Sequence, residues 1–213
     1  VIVLASRSPR RRRLLKLLGV RFTVRPAAIP ETPRRGETPE AHAERLAREK
    51  ALAAASALPR ARRARALVLG ADTVVALGRT IYGKPRDARD ARRILRALSG
   101  RTHRVVTGVA VWRGTDGRLA SGRSVTRVTF ARLTAAAIDR YVATGEPMDA
   151  AGAYAIQGCA GAFIPRIEGS YSNVVGLPLD LAASLLSEAG LYLPLSRHHV
   201  TPPRQATRRK TKL

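Results

Sequence analysis

An α/β fold built on a mixed sheet is expected from the order in which strand and helix signals occur. Several short apolar runs lead directly into capped helical runs, the arrangement that lays strands together with helices packed on them. Two longer β-rich runs, 102–112 and 119–131, instead flank Thr115-Asp116-Gly117, a hairpin signal that requires antiparallel neighbours. With 213 residues, 45% of them hydrophobic, the chain has material for one domain with a substantial core, or for two lobes sharing a cleft.

Each element has its own justification. Residues 1–5 are an apolar strand candidate. Ser8 then reads as an N-cap and Pro9 as the first helical residue, where a missing N–H costs nothing. Leu14, Leu15, Leu17 and Leu18 form a broad apolar face on this helix, and Gly19 ends it. Residues 20–24 form a second strand, and 26–36 a proline-rich loop carrying Glu31. Thr38-Pro39 starts a long helix to about residue 58, with Lys50 in its second half. The run 67–77 is β-rich but broken by Gly70-Ala71-Asp72-Thr73, which places Asp72 at or near a strand end. Gly83-Lys84-Pro85 makes a turn, Asp87 caps a helix to about residue 98, and Thr134 caps another to about 143. A glycine-rich stretch over 152–161 leads to a strand at 163–167, and 178–189 is the last helix. Beyond Glu188 there is no acidic residue, so 194–213 is expected to be a disordered basic tail behind a domain of residues 1–193.

Composition excludes several classes. One cysteine, Cys159, rules out a disulfide framework and any cysteine-based zinc or iron–sulfur site. His42, His103, His198 and His199 lack ligand spacing. No apolar run reaches the roughly 18–20 residues of a membrane helix. Residues from Val1 onward run into arginines without a cleavage signal, so a soluble, cytoplasmic protein is expected. The formal charge of +24 suggests nucleic acid. Against that, lysine occurs only at Lys16, Lys50, Lys84, Lys210 and Lys212, and the arginines are scattered, as biased codon usage would leave them. Aromatic residues, at 4%, are too few for base-stacking platforms. A polyanionic small substrate would also suit this field.

Two segments carry chemistry. The strand–loop–helix over 4–13 sets Ser6, Ser8, Arg10 and Arg11 around a helix N-terminus, a place suited to phosphate, although an ordinary capped helix with exposed arginines reads the same way. It is not a P-loop, because Gly83-Lys84 is followed by Pro85. Asp72, inside an apolar run, is costly unless it is paired, capping or bound to metal; the alternative is an aspartate closing a turn. A carboxylate-plus-phosphate site for Mg²⁺ or Mn²⁺ stays open.

In order along the chain stand Leu4-Ala5-Ser6-Arg7-Ser8-Pro9-Arg10-Arg11, Arg48-Glu49-Lys50-Ala51, Gly70-Ala71-Asp72-Thr73-Val74-Val75 and Gly83-Lys84-Pro85. Ala151-Gly152-Ala153-Tyr154-Ala155-Ile156-Gln157-Gly158 and Gly169-Ser170-Tyr171-Ser172-Asn173-Val174-Val175-Gly176-Leu177-Pro178 follow. Through these motifs the chain resembles the Maf family of nucleoside triphosphate pyrophosphatases over residues 1–193. The resemblance implies an inosine triphosphatase-like fold: an elongated mixed sheet with flanking helices, in two lobes around a nucleotide cleft. It implies cleavage of a nucleoside triphosphate to monophosphate and pyrophosphate with a divalent metal, which limits misincorporation of abnormal nucleotides.

Carried over by position, Asp72 matches the catalytic proton acceptor. Ser6, Arg11, Lys50 and Lys84 match phosphate-binding positions, and Glu31 with Asp72 the metal site. Arg10, Thr73 and Gln157 match positions that set substrate choice, and their identities are similar to the branch acting on dTTP and UTP. Thr73 and Gln157 could hydrogen-bond the carbonyls and N3–H of thymine or uracil. The alternatives are 7-methyl-GTP as substrate, or a basic nucleic-acid or septum-associated regulator using Arg10 to Arg13 and the tail. A homodimer is left open. Two departures from the family pattern are Ala150, where a lysine is usual, and Ala155, where a glycine is usual.

Overall fold

The computed structural model describes residues 1–193, and the basic tail expected from residue 194 lies outside the described residues. Strand β1 (Ile2–Leu4) feeds helix α1 (Pro9–Leu17), which starts with Pro9 at its first position and Ser8 Oγ accepting from the Arg11 N–H. After β2 (Phe22–Val24), helix α2 (Pro39–Ser56) is capped by Thr38, and the short α3 (Arg60–Arg63) follows. Strand β3 (Leu67–Leu77) turns into β4 (Thr80–Tyr82), and Asp87 caps α4 (Ala88–Leu98). Strands β5 (Thr102–Arg113) and β6 (Leu119–Thr129) form the expected hairpin, and Thr134 caps α5 (Ala135–Ala143). Three short 3₁₀ segments then lead to β7 (Arg166–Glu168), α6 (Tyr171–Val175) and α7 (Leu179–Glu188).

The sheet is mixed, with strand order β2-β1-β3-β5-β6-β7, and β4 pairs with the far end of β3. Pairs of β1 with β2 and β3 are parallel, and the others are antiparallel. The central strands, 11 or 12 residues long, are long enough to serve two cores. At one end Val75, Val105 and Val128 pack with Ile94, Leu95, Phe130 and Tyr141. At the other end, Leu4, Leu69 and Val109 pack with Leu15 and Leu186 on one face. Val68, Ala110 and Trp112 pack with Ala47 and Ala51 on the opposite face. The two lobes therefore share one sheet, and the polar Asp72, Thr73 and Thr107 fall between their cores.

Two expectations need correction. The Gly70-Ala71-Asp72-Thr73 stretch does not interrupt β3; the ladder with β5 runs unbroken from Leu67 to Ala76, so Asp72 lies in mid-strand, opposite Gly108. The glycines serve a close approach rather than a turn. A Cβ on Gly70 would lie 2.2 Å from the Ala47 carbonyl oxygen, and one on Gly108 would lie 2.2 Å from that of Ala43. Helix α2 thus rests almost directly on the sheet backbone. The strand expected over 163–167 is shorter and later, because Phe163 turns into an aromatic cluster with Phe130 and Tyr141.

Candidate active site

The sheet itself has a gap. On its β1 side, β3 is paired over Leu67 to Leu69 and again, with β4, from Val75 onward. Among the described residues no strand covers positions 70–74 on that side. A cleft of ≈ 750 Å³ opens there, between the β1–α1 loop and the Gly83-Lys84 turn after β4. Ser6, Arg10, Arg11, Glu31, Lys50, Asp72, Thr73, Lys84 and Gln157 all line it. Residues separated by up to 151 positions are thereby brought to one place.

The close seat of α2 on β3 and β5 explains the central ion pair. Lys50 precedes Ala51, which packs at Gly70, and its Nζ reaches Asp72 Oδ1 at 2.6 Å. Both residues are buried, at 8% and 6% exposure, which an unpaired charge would not tolerate. The same Nζ lies 2.6 Å from Glu31 Oε1, contributed by the proline-rich loop. Two carboxylates thus converge on one cation.

On the opposite face, Arg11 is held by three acceptors. Its Nε donates to the Gly176 carbonyl at 2.9 Å, Nη1 to Ser6 Oγ at 3.2 Å and Nη2 to Thr73 Oγ1 at 3.0 Å. Burial pulls its pKa below the ordinary value, while Asp72 and Glu31 raise it, and arginine remains charged. Ser6 Oγ also accepts from the Ser8 N–H at 3.2 Å, which leaves the Ser6 hydroxyl proton to donate into the cleft. Thr73 differs from expectation in part. Thr107 donates to the Asn173 carbonyl, so the Thr73 proton is directed to Thr107, 2.9 Å away. With Arg11 also bonded to it, Thr73 keeps one lone pair, able to accept an N–H but not to donate to a base carbonyl.

At the other rim, Lys84 and Arg10 both meet Asp149: Lys84 through a carboxylate oxygen, Arg10 through the backbone carbonyl and the carboxylate. Sequence reasoning missed Asp149 as a partner, since 65 and 139 positions separate it from these cations and no local signal links them. Gln157 stands exposed on the cleft wall, in the turn after Tyr154. Beneath this wall, Tyr154 is bonded to His103 Nε2 at 2.8 Å, and burial holds His103 down at about 4, so the imidazole is neutral at pH 7. Ala155 has no left-handed backbone, so the absence of glycine there strains nothing.

A family model described as Maf-like protein matches residues 1–189. The chain is 53% identical over 195 residues to the dTTP/UTP pyrophosphatase of Anaeromyxobacter dehalogenans (strain 2CP-C), covering 91% of this chain and 96% of the relative. It is 54% identical over 195 residues to that of Myxococcus xanthus (strain DK1622), with 91% and 95% covered. It is 50% identical over 193 residues to that of Chromobacterium violaceum, with 91% and 96% covered. Among solved structures, the Ham1 protein of Staphylococcus aureus overlays with a TM-score of 0.43 at 19% identity, over 61% of this chain and 71% of that one, a likeness too loose to bear on function.

Proposed function

The chain belongs to the Maf-like protein family, and from that premise we propose that it is a dTTP/UTP pyrophosphatase working at the cleft of β3. The observation that supports the site is the convergence of Ser6, Arg10, Arg11, Lys50 and Lys84 with Glu31 and Asp72 around one opening. A triphosphate carries about four negative charges, and phosphoryl transfer is mostly a matter of positioning and neutralising them. Arg11, locked by Ser6, Thr73 and Gly176, offers a preset fork to phosphate oxygens; Lys50, Lys84 and Arg10 supply charge. Only Oδ1 of Asp72 is engaged by Lys50, so Oδ2 is available to orient the attacking water and take its proton. Water adds to phosphorus, the bond to the bridging oxygen between the α and β phosphorus breaks, and monophosphate and pyrophosphate are the products.

The divalent cation expected for this chemistry fits the donors present. Glu31 and Asp72 each bring one carboxylate oxygen to 2.6 Å from Lys50 Nζ, so the two carboxylates stand together at the cleft. Mg²⁺ and Mn²⁺ are commonly held by one or two carboxylates, with substrate phosphates and water supplying the remaining oxygens. The described residues contain no cluster of three or more His, Cys, Asp and Glu for a metal, so those further oxygens are required. Held by these two carboxylates beside the Lys50 ammonium, the cation would neutralise phosphate charge.

For the base, Gln157 offers one acceptor and two donors, and Thr73 its remaining lone pair, a match to two carbonyls flanking one N–H. A 7-methylated guanine brings a positive charge beside Arg10. The catalytic unit is residues 1–193, and its place is the cytoplasm, where its nucleotide substrates are. The test is pyrophosphate release from a panel of nucleoside triphosphates with Mg²⁺ or Mn²⁺. Hydrolysis of dTTP and UTP much faster than 7-methyl-GTP is expected, and equal kcat/KM for UTP and 7-methyl-GTP would overturn the base assignment.

A further inference from the structure

We infer that Tyr141 and Glu146, which do not line the cleft, are positioning residues for base selection: they clamp the turn that presents Gln157. The inference rests on the reading of Gln157 as a contact to the base.

Among the described residues, 155–158 pair with no strand: Ile156 packs on the core beside the cleft, the Gly158 N–H donates to the Ala155 carbonyl at 3.0 Å, and the Gly158 carbonyl accepts the Gly161 N–H of the following 3₁₀ segment at 3.0 Å. These contacts shape the turn and seat Ile156, and the backbone on either side of Gln157 is tied from outside. The Ala155 N–H donates to the Tyr141 hydroxyl at 3.2 Å, and that hydroxyl donates to Glu146 Oε1 at 2.7 Å. The other oxygen, Glu146 Oε2, accepts the Cys159 N–H at 3.0 Å. Gln157 therefore sits midway between two backbone N–H groups tied to one Tyr–Glu pair. Gly158 is packed onto the same carboxylate, since a Cβ there would lie 2.1 Å from Glu146 Oε2.

The clamp is itself rigidly seated. Tyr141 is buried, with its ring edge-on to Phe163 at a centroid distance of 5.2 Å. The Glu146 N–H is tied to Thr144 Oγ1 at 3.2 Å, just after Gly145 in the left-handed region. Burial, and then the bond to Glu146, raise the pKa of Tyr141, so the phenol keeps the proton it donates. Discrimination by a site built to hydrogen-bond a base edge depends on donors and acceptors held to within a fraction of an ångström. The phosphate-binding residues lie on other elements and do not depend on this turn.

The experiment compares kcat/KM for UTP and CTP, which share ribose and triphosphate and differ only at the pyrimidine edge. It uses the full chain, Tyr141→Phe, Gln157→Ala and the double variant. Tyr141→Phe keeps the ring against Phe163 and removes the hydroxyl. It is expected to lower the UTP-to-CTP ratio by about 10-fold, the effect of one or two lost hydrogen bonds expressed in a rate ratio. In the Gln157→Ala background it is expected to lower the ratio no further, because the clamp acts through Gln157. If Tyr141→Phe slows both substrates equally, or adds its full effect on top of Gln157→Ala, the clamp is structural only and the inference fails alone. If Gln157→Ala itself leaves the ratio at its wild-type value, the reading of Gln157 fails and takes the inference with it. Should Tyr141→Phe not fold, Glu146→Gln, which puts a donor against one of the two donors it now accepts from, is expected to move the ratio in the same direction, and an unchanged ratio there overturns the inference.

Discussion

Replacing Asp72 by asparagine tests the centre of the cleft with a nearly isosteric change. The side chain keeps its volume in mid-strand opposite Gly108, and the Lys50 bond keeps an oxygen acceptor, but the carboxylate charge and the proton-accepting oxygen are lost. Removing one partner of a buried ion pair commonly costs about 3–5 kcal/mol. Here Lys50 retains Glu31 at 2.6 Å, whose side chain is 59% exposed and so screened. The stability loss is therefore expected at about 1–3 kcal/mol, read as a lower urea midpoint with an unchanged slope. Turnover is a separate matter. A general base is worth about 10²-fold or more, and asparagine is also a poor ligand for a hard cation. Pyrophosphate release from dTTP should fall by at least about 10²-fold. Metal-free nucleotide binding should be equal or tighter, since one negative charge near the phosphates is gone. Retention of more than about a tenth of wild-type turnover would refute the role given to Asp72, whatever the stability change.

Other expectations follow from the same geometry. Gly108→Ala would drive a Cβ into the Ala43 carbonyl, 2.2 Å away, and so lift α2 and Lys50 from the sheet. A loss of at least about 1–3 kcal/mol in denaturant unfolding is expected, together with lower turnover; wild-type values for both would show that α2 does not set Lys50. His103, held at about 4 by burial against an ordinary 6.5, takes up its proton in the unfolded chain first. Its contribution to stability is thus full above about pH 6.5 and falls as pH drops toward 4, by up to about 3 kcal/mol, and His103→Asn should remove that part of the slope in urea midpoints measured from pH 7 to 4. Removing residues 194–213, which lie beyond the family match, should leave melting temperature and dTTP hydrolysis unchanged, and a large fall in either would place the tail within the working unit.

Much of this was legible in local sequence because the signals concerned are local. The four N-caps Ser8, Thr38, Asp87 and Thr134 each bond the N–H three residues on, as capping chemistry requires. The β5–β6 hairpin follows from its turn residues. The Gly70 to Thr73 stretch was misleading because glycine marks both a turn and a close approach, and only the path of α2 distinguishes them. Strand β4 and helices α3 and α6 are too short to leave a periodic pattern. All nine expected site residues meet in one cleft, yet their partners were not readable. The locking of Arg11 by Gly176, the diversion of Thr73 toward Thr107 and the bridging by Asp149 all join distant positions.

The charge pattern of the cleft bears on what the excess of arginine is for. Five cations, Arg7, Arg10, Arg11, Lys50 and Lys84, line the opening with three carboxylates, Glu31, Asp72 and Asp149, so the excess there is small beside that of the whole chain. A formal net charge of +24 therefore does not concentrate at the site but surrounds it. Such a field acts at long range: it draws polyanions toward the molecule and is screened over about 8–10 Å at ordinary ionic strength. On the proposed function, selection falls closer in, where a triphosphate would displace Asp149 from Lys84 and Arg10 and share Lys50 with Glu31 and Asp72. An anion carrying one or two charges gains too little to compete with those carboxylates. On that reading, a triphosphate with its divalent cation would satisfy both sets at once, the cation at Glu31 and Asp72. On the proposed function, the internal pairing would act as a filter for charge and metal together, ahead of the base contact proposed for Gln157.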